Sequence, residues 1–412
     1  MTSRSASILS RLTLHRRRAL VWTTAWRELR HEHAGGHEPA DTHRPHLEAA
    51  SEWLARAQDV TQSGGIARGY SITWNPYFRL RGWEPDYPET TGYIIPTLYM
   101  IADHLDRPEF ADRAEHAAHW ECDVQLRDGG VRAGVMGQPP LPSAFNTGQV
   151  IFGWLAAFER TGEQRFVESA MRAGKFLAER IDDDGIWRRD TSYLAHEDAT
   201  LYNTRTAWAL AELGKRFGVP AFIDAARQAF LAAANLQHAD GWIPNCCMLD
   251  PERPLLHALV YTIRGLLEGG WLLGDDRLIR PAVVAATAIR DRMRTDGWLA
   301  GRWSEGWEPA ADFSCLTGTA QIANVWMRLA QMTGDRGWLE PAHRALRFLE
   351  TTQNRTSTNA GLRGGIKGSS PLNGEYGQYE VLSWATKFFV DAVIRYERIT
   401  TGAPPLPAAA LA

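Results

Sequence analysis

The sequence has little cysteine, no long apolar run and almost no charge excess, and each absence excludes a class of protein. Only four cysteines occur among 412 residues. The adjacent pair Cys246 and Cys247 lacks the CxxC spacing of a zinc site, so we expect neither a metal centre nor a disulfide framework. No stretch reaches the ~18 apolar residues of a membrane helix. A net charge of −3, with acids and bases interspersed, does not indicate a basic surface for binding nucleic acid or an anionic membrane.

These absences predict a cytoplasmic protein without nucleic-acid or membrane partners. No cofactor is implied, and the oligomeric state is left open. The abundant residue is tryptophan, with 17 copies. Indole rings pack in protein cores and also line clefts that bind sugars, and we expect packing to account for most of them.

The two ends of the chain differ in composition from the rest. Residues 1–44 are basic and then rich in histidine and glycine, which predicts a poorly ordered arm. Residues 401–412 form a tail rich in proline and alanine, also expected to be disordered. The interval 45–400 remains as the folded domain.

Two kinds of helix alternate strictly along this domain, with a period of about 55–62 residues, which is the mark of a repeat architecture. Amphipathic helices are expected at His46–Val60, Arg107–Leu126, Glu163–Ile181, Val219–Gln237, Asp276–Met293 and Asp335–Gln353. Nearly all-apolar helices are expected at Thr91–Leu105, Thr147–Thr161, Thr204–Phe217, His257–Leu273, Thr317–Thr333 and Val381–Tyr396. An all-apolar helix needs cover on every side. An all-α fold, the (α/α)6 barrel with the apolar helices as its inner ring, supplies that cover.

The connections predict where a site would lie. Links from an apolar to an amphipathic helix are short turns with glycine, as at Gly162. The return links are long and start with Asp-Gly followed by Trp or Ile, as at Asp184-Gly185. Long loops in a compact domain are usually functional. We therefore expect the site at the end of the barrel where the inner helices begin.

The Asp-Gly loop starts and the Thr-Gly openings of inner helices at Thr91, Thr147 and Thr317 carry a resemblance to known proteins. Over residues 45–398 the chain resembles the (α/α)6-toroid carbohydrate-active enzymes, above all unsaturated glucuronyl and rhamnogalacturonyl hydrolases and related polysaccharide lyases. The resemblance implies a carbohydrate substrate. At the position where those hydrolases carry one aspartate, this chain has Thr90. Asn146 stands near the position of their second aspartate, and we keep Asn146 as a substrate-binding candidate.

Cleavage of a glycosidic bond requires two carboxyl groups, one as general acid and the other as base or nucleophile. We select three acids of the long loops, Glu89, Asp198 and Glu375, for the roles of acid, base and water positioning, in no assigned order. Trp83, Tyr87 and Tyr93 surround Glu89 in the sequence, and Trp83, Asp86 and Tyr93 are substrate-binding candidates. An apolar shell can raise the pKa of a carboxyl so that it can act as a general acid. Alternatively, Glu89 only stabilises the start of its helix by interacting with the helix dipole.

The third long loop holds the densest polar cluster. Glu197 and Asp198 precede Tyr202, Asn203 and Arg205. Asn203 or Thr204 serves as the N-cap of the third inner helix, so Glu197 and Asp198 cannot both be simple caps. Besides the catalytic candidate Asp198, we expect Glu197, Tyr202, Asn203 and Arg205 to bind substrate, with a salt bridge inside the loop as the alternative.

The fifth and sixth long loops complete the candidate site. The fifth has two tryptophans that predict a wall for stacking sugar rings. The sixth is glycine-rich but lacks the GxxxxGK[ST] order, so nucleotide binding is not predicted. The substrate-binding candidates of these loops are Trp303, Trp307, Asp312, Tyr376 and Tyr379.

Our first hypothesis is a glycoside hydrolase acting on an oligo- or polysaccharide. Four loop arginines suited to a carboxylate favour an acidic sugar such as a uronate: Arg81, Arg205, Arg302 and Arg363. The second is a polysaccharide lyase or sugar epimerase, in which His257 and Tyr202 would move a proton alpha to a carboxylate or carbonyl. The third is a toroid that only binds a glycan or a protein.

Overall fold

The architecture is a closed double ring of helical hairpins. A computed structural model of the protein describes residues 24–190, 200–247 and 249–404. Residues 24–33 are helical (α1). The outer helices are α2 Arg44–Asp59, α4 Glu109–Val124, α6 Gln164–Ala178, α8 Pro220–Asn235, α10 Asp276–Arg290 and α12 Leu339–Thr352. The inner helices are α3 Pro88–Leu105, α5 Ala144–Thr161, α7 Thr204–Phe217, α9 Leu256–Leu273, α11 Leu316–Thr333 and α13 Ser383–Thr401.

Each inner helix packs on the next, and α13 packs on both α3 and α2, which closes the ring. The expected all-α (α/α)6 barrel is therefore confirmed. The two helix types differ as their sequences require. In α6 the buried residues Phe166, Ala170, Ala173 and Leu177 recur at the three-to-four spacing of a single face, whereas almost every residue of α3 is buried.

The Thr-Gly openings have a packing role. A Cβ on Gly92 would lie 2.6 Å from the Cα of Val150, and one on Gly148 would lie 2.8 Å from the Cα of Thr206. Glycine thus allows neighbouring inner helices to touch backbone to backbone. The hydroxyl of Thr91 accepts a hydrogen bond from the backbone N–H of Ile66 at 2.9 Å and so ties the start of the preceding long loop to α3.

The described parts of the long loops lie at the end of the barrel where the inner helices begin. They contribute the strands β1 Gly69–Asn75 and β2 Leu80–Trp83 and the strand β9 Glu380–Leu382, which form one sheet in the order β2-β1-β9. The antiparallel pairing of Ser71 with Glu380 joins the first long loop to the sixth. Two-residue strands pair as β3 with β4, β5 with β6 and β7 with β8: Val131–Arg132, Pro142–Ser143, Trp303–Ser304, Glu308–Pro309, Ser314–Cys315 and Ser369–Ser370.

The N-terminal region differs from the poorly ordered arm expected over residues 1–44. Helix α1 lies on the barrel, where Glu28 and Glu32 of α1 pair with the buried ammonium of Lys367 at 3.3 and 2.8 Å. Two acids four residues apart on one helix face neutralise a lysine that has no access to solvent. The basic and histidine-rich composition concealed this pair. Residues 1–23 and most of the expected C-terminal tail, 405–412, lie outside the described ranges.

Among the described residues, no helix combines the length and apolarity required to cross a bilayer.

Candidate active site

Glu89 is an enclosed carboxyl at the mouth of the barrel. It stands in the first turn of α3, and the hydroxyl of Tyr87 donates a hydrogen bond to it. Asn146 Nδ2 lies 3.5 Å from the same hydroxyl. Burial raises the pKa of Glu89 to about 7, against the opposing effects of the Tyr87 hydrogen bond and of the charges on Arg68 and Arg205. A substantial fraction of the molecules therefore carries a proton on Glu89 at neutral pH, although its side chain is partly accessible.

Arg205 forms the floor of the mouth. Its Nε donates to Gln149 Oε1 at 2.7 Å. Five aromatic rings surround the guanidinium at 5.2–5.8 Å, those of Tyr93, Phe152, Trp208, Tyr261 and Phe388. Burial lowers the pKa of Arg205 to about 10, which leaves it cationic at neutral pH.

Three polar atoms at this floor are buried without a hydrogen-bond partner among the described residues: Arg205 Nη2, Tyr93 Oη and Tyr261 Oη. Buried polar groups in proteins are nearly always paired. Orphaned donors that converge on one place are therefore suited to a polar ligand such as a sugar ring with its hydroxyl groups.

His257 lies in the first turn of α9, beside this floor. Its Nδ1 is 2.9 Å from Gln321 Oε1, and its ring centroid is 4.4 Å from that of Tyr261. Burial lowers the pKa of His257 to about 4, so the imidazole is neutral at pH 7. With Gln321 Oε1 as acceptor, Nδ1 carries the proton and Nε2 keeps a lone pair that can accept another.

Two further tyrosines belong to this region, Tyr376 beside His257 and Tyr202 near Glu89. The ring of Tyr376 lies 5.5 Å from that of His257, and its hydroxyl accepts a hydrogen bond from Trp384 Nε1 at 2.6 Å. Tyr202 is buried, and burial together with the charge of Glu89 raises its pKa. The structure thus brings together six of the residues predicted from sequence: Glu89, Tyr93, Tyr202, Arg205, His257 and Tyr376.

Glu375, expected to be catalytic, lies at the rim instead. Its side chain is 62% exposed and accepts a hydrogen bond from Arg302 Nε at 3.0 Å. The adjacent residue Tyr376 points inward, so Glu375 points toward solvent. Asp312 is also exposed, and the ring of Tyr379 packs against the core.

The expected sugar-stacking wall of Trp303 and Trp307 is wrong. Their side chains are 0% and 1% exposed. The ring of Trp307 contacts that of Trp242 edge-on at 5.3 Å, and its Nε1 donates to the carbonyl of Asp240 at 3.0 Å. Both indole side chains therefore serve to pack consecutive long loops against each other.

Other candidates hold the loops in place. Asp86 accepts a hydrogen bond from Ser63 at 2.6 Å, and Trp83 packs on Trp53 and Tyr70.

The two asparagine candidates also make local contacts. Asn146 Nδ2 donates to the carbonyl of Arg132 at 2.8 Å, and Asn203 Oδ1 accepts from Thr206 at 3.0 Å. Glu197 and Asp198 lie outside the described residues.

Gln149, Tyr261 and Gln321 were not predicted from the sequence, whereas Tyr87 was expected beside Glu89 but was not selected as a site residue. The three residues that were missed had a signal: a polar or tyrosine side chain stands in the first two turns of an inner helix that is otherwise apolar. Such a side chain points either into the core or into the mouth, and helix spacing alone does not separate the two.

A second acidic group lies beside the mouth. Arg68 Nη1 contacts Glu84 at 2.5 Å and Glu380 at 3.2 Å. Burial raises the pKa of Glu380, and the charge of Arg68 opposes that shift. These two carboxylates are held by an arginine and are less available for proton transfer than Glu89.

Among the described residues, one group could hold a metal ion: Glu115, His119 and Glu163 on the outer wall. Arg165 Nη1 lies 3.5 Å from His119 Nδ1, and its charge opposes a cation there. These three residues belong to the outer helices α4 and α6 and their borders, not to the inner helices whose starts form the mouth.

No protein-family model and no curated protein matches the chain. Solved structures do match. An unsaturated glucuronyl hydrolase specific for heparin has 17% identity and a TM-score of 0.68, covering 86% of this chain and 97% of the other. An unsaturated glucuronyl hydrolase from Bacillus sp. GL1 has 15% identity and a TM-score of 0.69, with coverages of 87% and 97%.

A cellobiose 2-epimerase from Bacillus thermoamylovorans B4167 is also similar, with 11% identity, a TM-score of 0.65 and coverages of 91% and 99%. The predicted resemblance to (α/α)6 toroids of this kind is confirmed. At these identities the likeness establishes the shared fold, which hosts more than one reaction.

Proposed function

We propose that the protein is a glycoside hydrolase acting on an oligo- or polysaccharide, with Glu89 as the general acid. The observation that carries the proposal is the enclosed carboxyl of Glu89, whose pKa of about 7 keeps a proton available at neutral pH. An acid whose pKa lies near the working pH is well suited to protonate a leaving-group oxygen. The neighbouring Tyr87 hydroxyl fixes the orientation of the carboxyl.

In the proposed reaction, Glu89 gives its proton to the glycosidic oxygen as the bond from the anomeric carbon to that oxygen breaks. Water adds to the anomeric carbon, and a second carboxylate takes its proton. Asp198 remains our candidate for that base, although it lies outside the described residues. The floor around Arg205 would bind the sugar next to the scissile bond.

The charge of Arg205 supports an acidic sugar, since nearby Lys387 is already paired with a carboxylate. Lys387 Nζ contacts Asp391 at 2.6 Å, and burial lowers the pKa of Lys387 to about 7. Arg205 has no carboxylate within salt-bridge distance among the described residues. A uronate carboxylate would supply a partner for its free Nη2. One neighbour by fold is described as responsible for glycosaminoglycan degradation, which agrees with such a substrate.

The second candidate is a lyase or epimerase centred on His257. Its support is the contact between His257 and Tyr261, whose ring centroids are 4.4 Å apart, with Arg205 5.2 Å from the Tyr261 ring. A neutral imidazole with a free Nε2 can take a proton alpha to a carboxylate or carbonyl. Tyr261 replaces Tyr202 as the tyrosine partner in this hypothesis.

The experiment incubates purified protein with a panel of neutral and uronate-bearing glycans. New reducing ends, ultraviolet absorbance of unsaturated products and epimerised sugars are measured separately. The proposal predicts new reducing ends without new unsaturation, and a kcat lower by roughly 10²–10⁴-fold in Glu89→Gln. Glu308→Gln, an exposed acid of the fifth loop, is the matched control and should retain activity.

Unsaturated or epimerised products would reject hydrolysis and favour the second candidate, which then predicts inactivity of His257→Ala. Hydrolysis that persists in a folded Glu89→Gln variant would reject Glu89 as the acid. A pH profile adds a further check, since protonated Glu89 is required and kcat/KM should fall as the pH rises through about 7.

A further inference from the structure

Two large aromatic side chains are exposed at the tip of the hairpin formed by β1 and β2. Trp74 is 62% exposed and Tyr77 is 60% exposed. Apolar rings that face water forgo the free energy of burial. An exposed aromatic pair at the functional end of a fold is therefore a candidate contact for a ligand.

Hydrogen bonds fix the backbone of the tip and the hydroxyl of Tyr77. Asn75 Oδ1 accepts the backbone N–H groups of Tyr77 at 3.0 Å and Phe78 at 3.2 Å, and Asn75 Nδ2 donates to Glu380 at 2.6 Å. Gln138 of the second long loop donates to the Tyr77 hydroxyl at 2.9 Å. A surface built in advance loses little conformational entropy when a ligand binds.

A continuous series of contacts leads from this tip to the floor of the mouth. The Tyr77 ring lies 4.8 Å from the Phe78 ring. The Arg68 guanidinium lies over Phe78 at 5.2 Å and over Trp384 at 4.8 Å. Trp384 bonds to Tyr376, whose ring is 5.5 Å from that of His257. Tyr77 is therefore connected to the candidate active site through packed side chains, and Trp74 stands three residues before Tyr77 on the same hairpin.

We propose that Trp74 and Tyr77 form a distal platform that binds a sugar unit further along the same glycan chain as the unit held over Arg205. The inference rests on the proposed carbohydrate substrate. Sugar rings present flat C–H faces that pack on indole and phenol rings, while their hydroxyl groups stay in water. Two exposed aromatic rings on one hairpin tip fit such a ligand, and they would make the protein prefer longer oligosaccharides over disaccharides.

The test measures binding without turnover, in the Glu89→Gln variant. The probes are cello-oligosaccharides and heparin-derived oligosaccharides of increasing length, titrated by calorimetry. We expect the affinity to rise with length. Adding Trp74→Ala should raise the Kd of the longest bound probe by about 3–10-fold and leave that of the disaccharide unchanged. Tyr77→Ala should act in the same direction.

Trp271→Ala is the matched control. Trp271 is 53% exposed but stands near the end of α9, at the opposite end of the barrel from the mouth. Its replacement should leave every Kd unchanged. Thermal unfolding of each variant confirms that the fold is intact.

The outcomes separate this inference from the proposed reaction. Affinity that rises with length through Trp74 supports the platform even if wild-type protein hydrolyses no probe, in which case only the proposed reaction fails. Hydrolysis with no length dependence, or an equal effect of Trp74→Ala on short and long probes, overturns the platform alone. Failure of every probe to bind overturns both.

Discussion

Replacement of Glu121 by glutamine should stabilise the protein, and increasingly so as the pH rises. Glu121 lies in the outer helix α4 with 0% of its surface exposed. Neither carboxyl oxygen has a hydrogen-bond partner among the described residues. Burial, together with the negative charge of Asp86, raises the pKa of Glu121 well above its ordinary value. The folded protein therefore keeps this carboxyl protonated.

The magnitude follows from linkage between protonation and folding. An unfolded chain ionises glutamate above a pKa of about 4.3. Holding the proton in the folded state therefore costs about 1.4 kcal/mol for each pH unit above that value, or roughly 4 kcal/mol at pH 7. Because the folded-state pKa is raised, the stability contribution of Glu121 is complete below the unfolded pKa and is lost as the pH rises above it. Glutamine has the same shape and does not titrate.

The assay is urea denaturation of wild-type protein and Glu121→Gln between pH 4.5 and pH 7.5. The difference in free energy of unfolding should shift in favour of the variant by about 1 kcal/mol or more per pH unit above pH 5. Glu168→Gln, at an exposed position of α6, should show no such trend. If the free energies of unfolding of the variant and the wild-type protein differ by the same amount at every pH, the reasoning is refuted. Such a constant difference, of either sign, would reflect only the burial of the glutamine amide.

Two further changes test the packing of the barrel. Gly148→Ala would place a Cβ 2.7 Å from Thr206 Cγ2, and it should lower the free energy of unfolding by about 1–3 kcal/mol in urea denaturation; unchanged stability would contradict the close approach of α5 and α7. Lys367→Met would leave Glu28 and Glu32 buried without their cation. It should cost about 3–5 kcal/mol at pH 7 and less at pH 4, where the acids can be protonated; a loss independent of pH would contradict the pairing.

The hairpin pattern of the fold could be predicted from the sequence because each element carries a local signal. The fourth inner helix was expected at His257–Leu273 and spans Leu256–Leu273. Its apolar residues cover every face, which separates it from the amphipathic helices around it. The turn at Asp240 was equally local, since its carboxylate accepts the backbone N–H of Trp242 at 3.0 Å.

Features that depend on distant contacts could not be predicted in the same way. The burial of Trp307 depends on Trp242 of the preceding long loop, and a tryptophan in a polar loop resembles a sugar-binding residue until that partner is known. The order of α1 depends on Lys367, at the other end of the chain. A composition rich in basic residues and histidine gives no information about such a partner.

The candidate site was predictable in its location but only partly in its members. Glu89, Arg205 and His257 stand at the starts of inner helices, and closing the ring brings these starts together. The sequence could not show that Glu89 lies in the mouth while Glu375 lies at the exposed rim, because both are acids beside aromatic residues and glycine. Tyr261 was missed because a tyrosine inside an apolar helix is usually part of the core.

The central claim is that the mouth holds a carboxyl on Glu89 that still carries a proton near neutral pH. The most direct test is a ¹³C NMR titration of the glutamate side-chain carboxyls in wild-type protein and in Glu89→Gln. We expect a resonance in the wild-type protein that titrates near pH 7 and disappears in the variant. If the resonance lost in Glu89→Gln instead titrates near the ordinary glutamate value of about 4.3, Glu89 is not the proton donor proposed here.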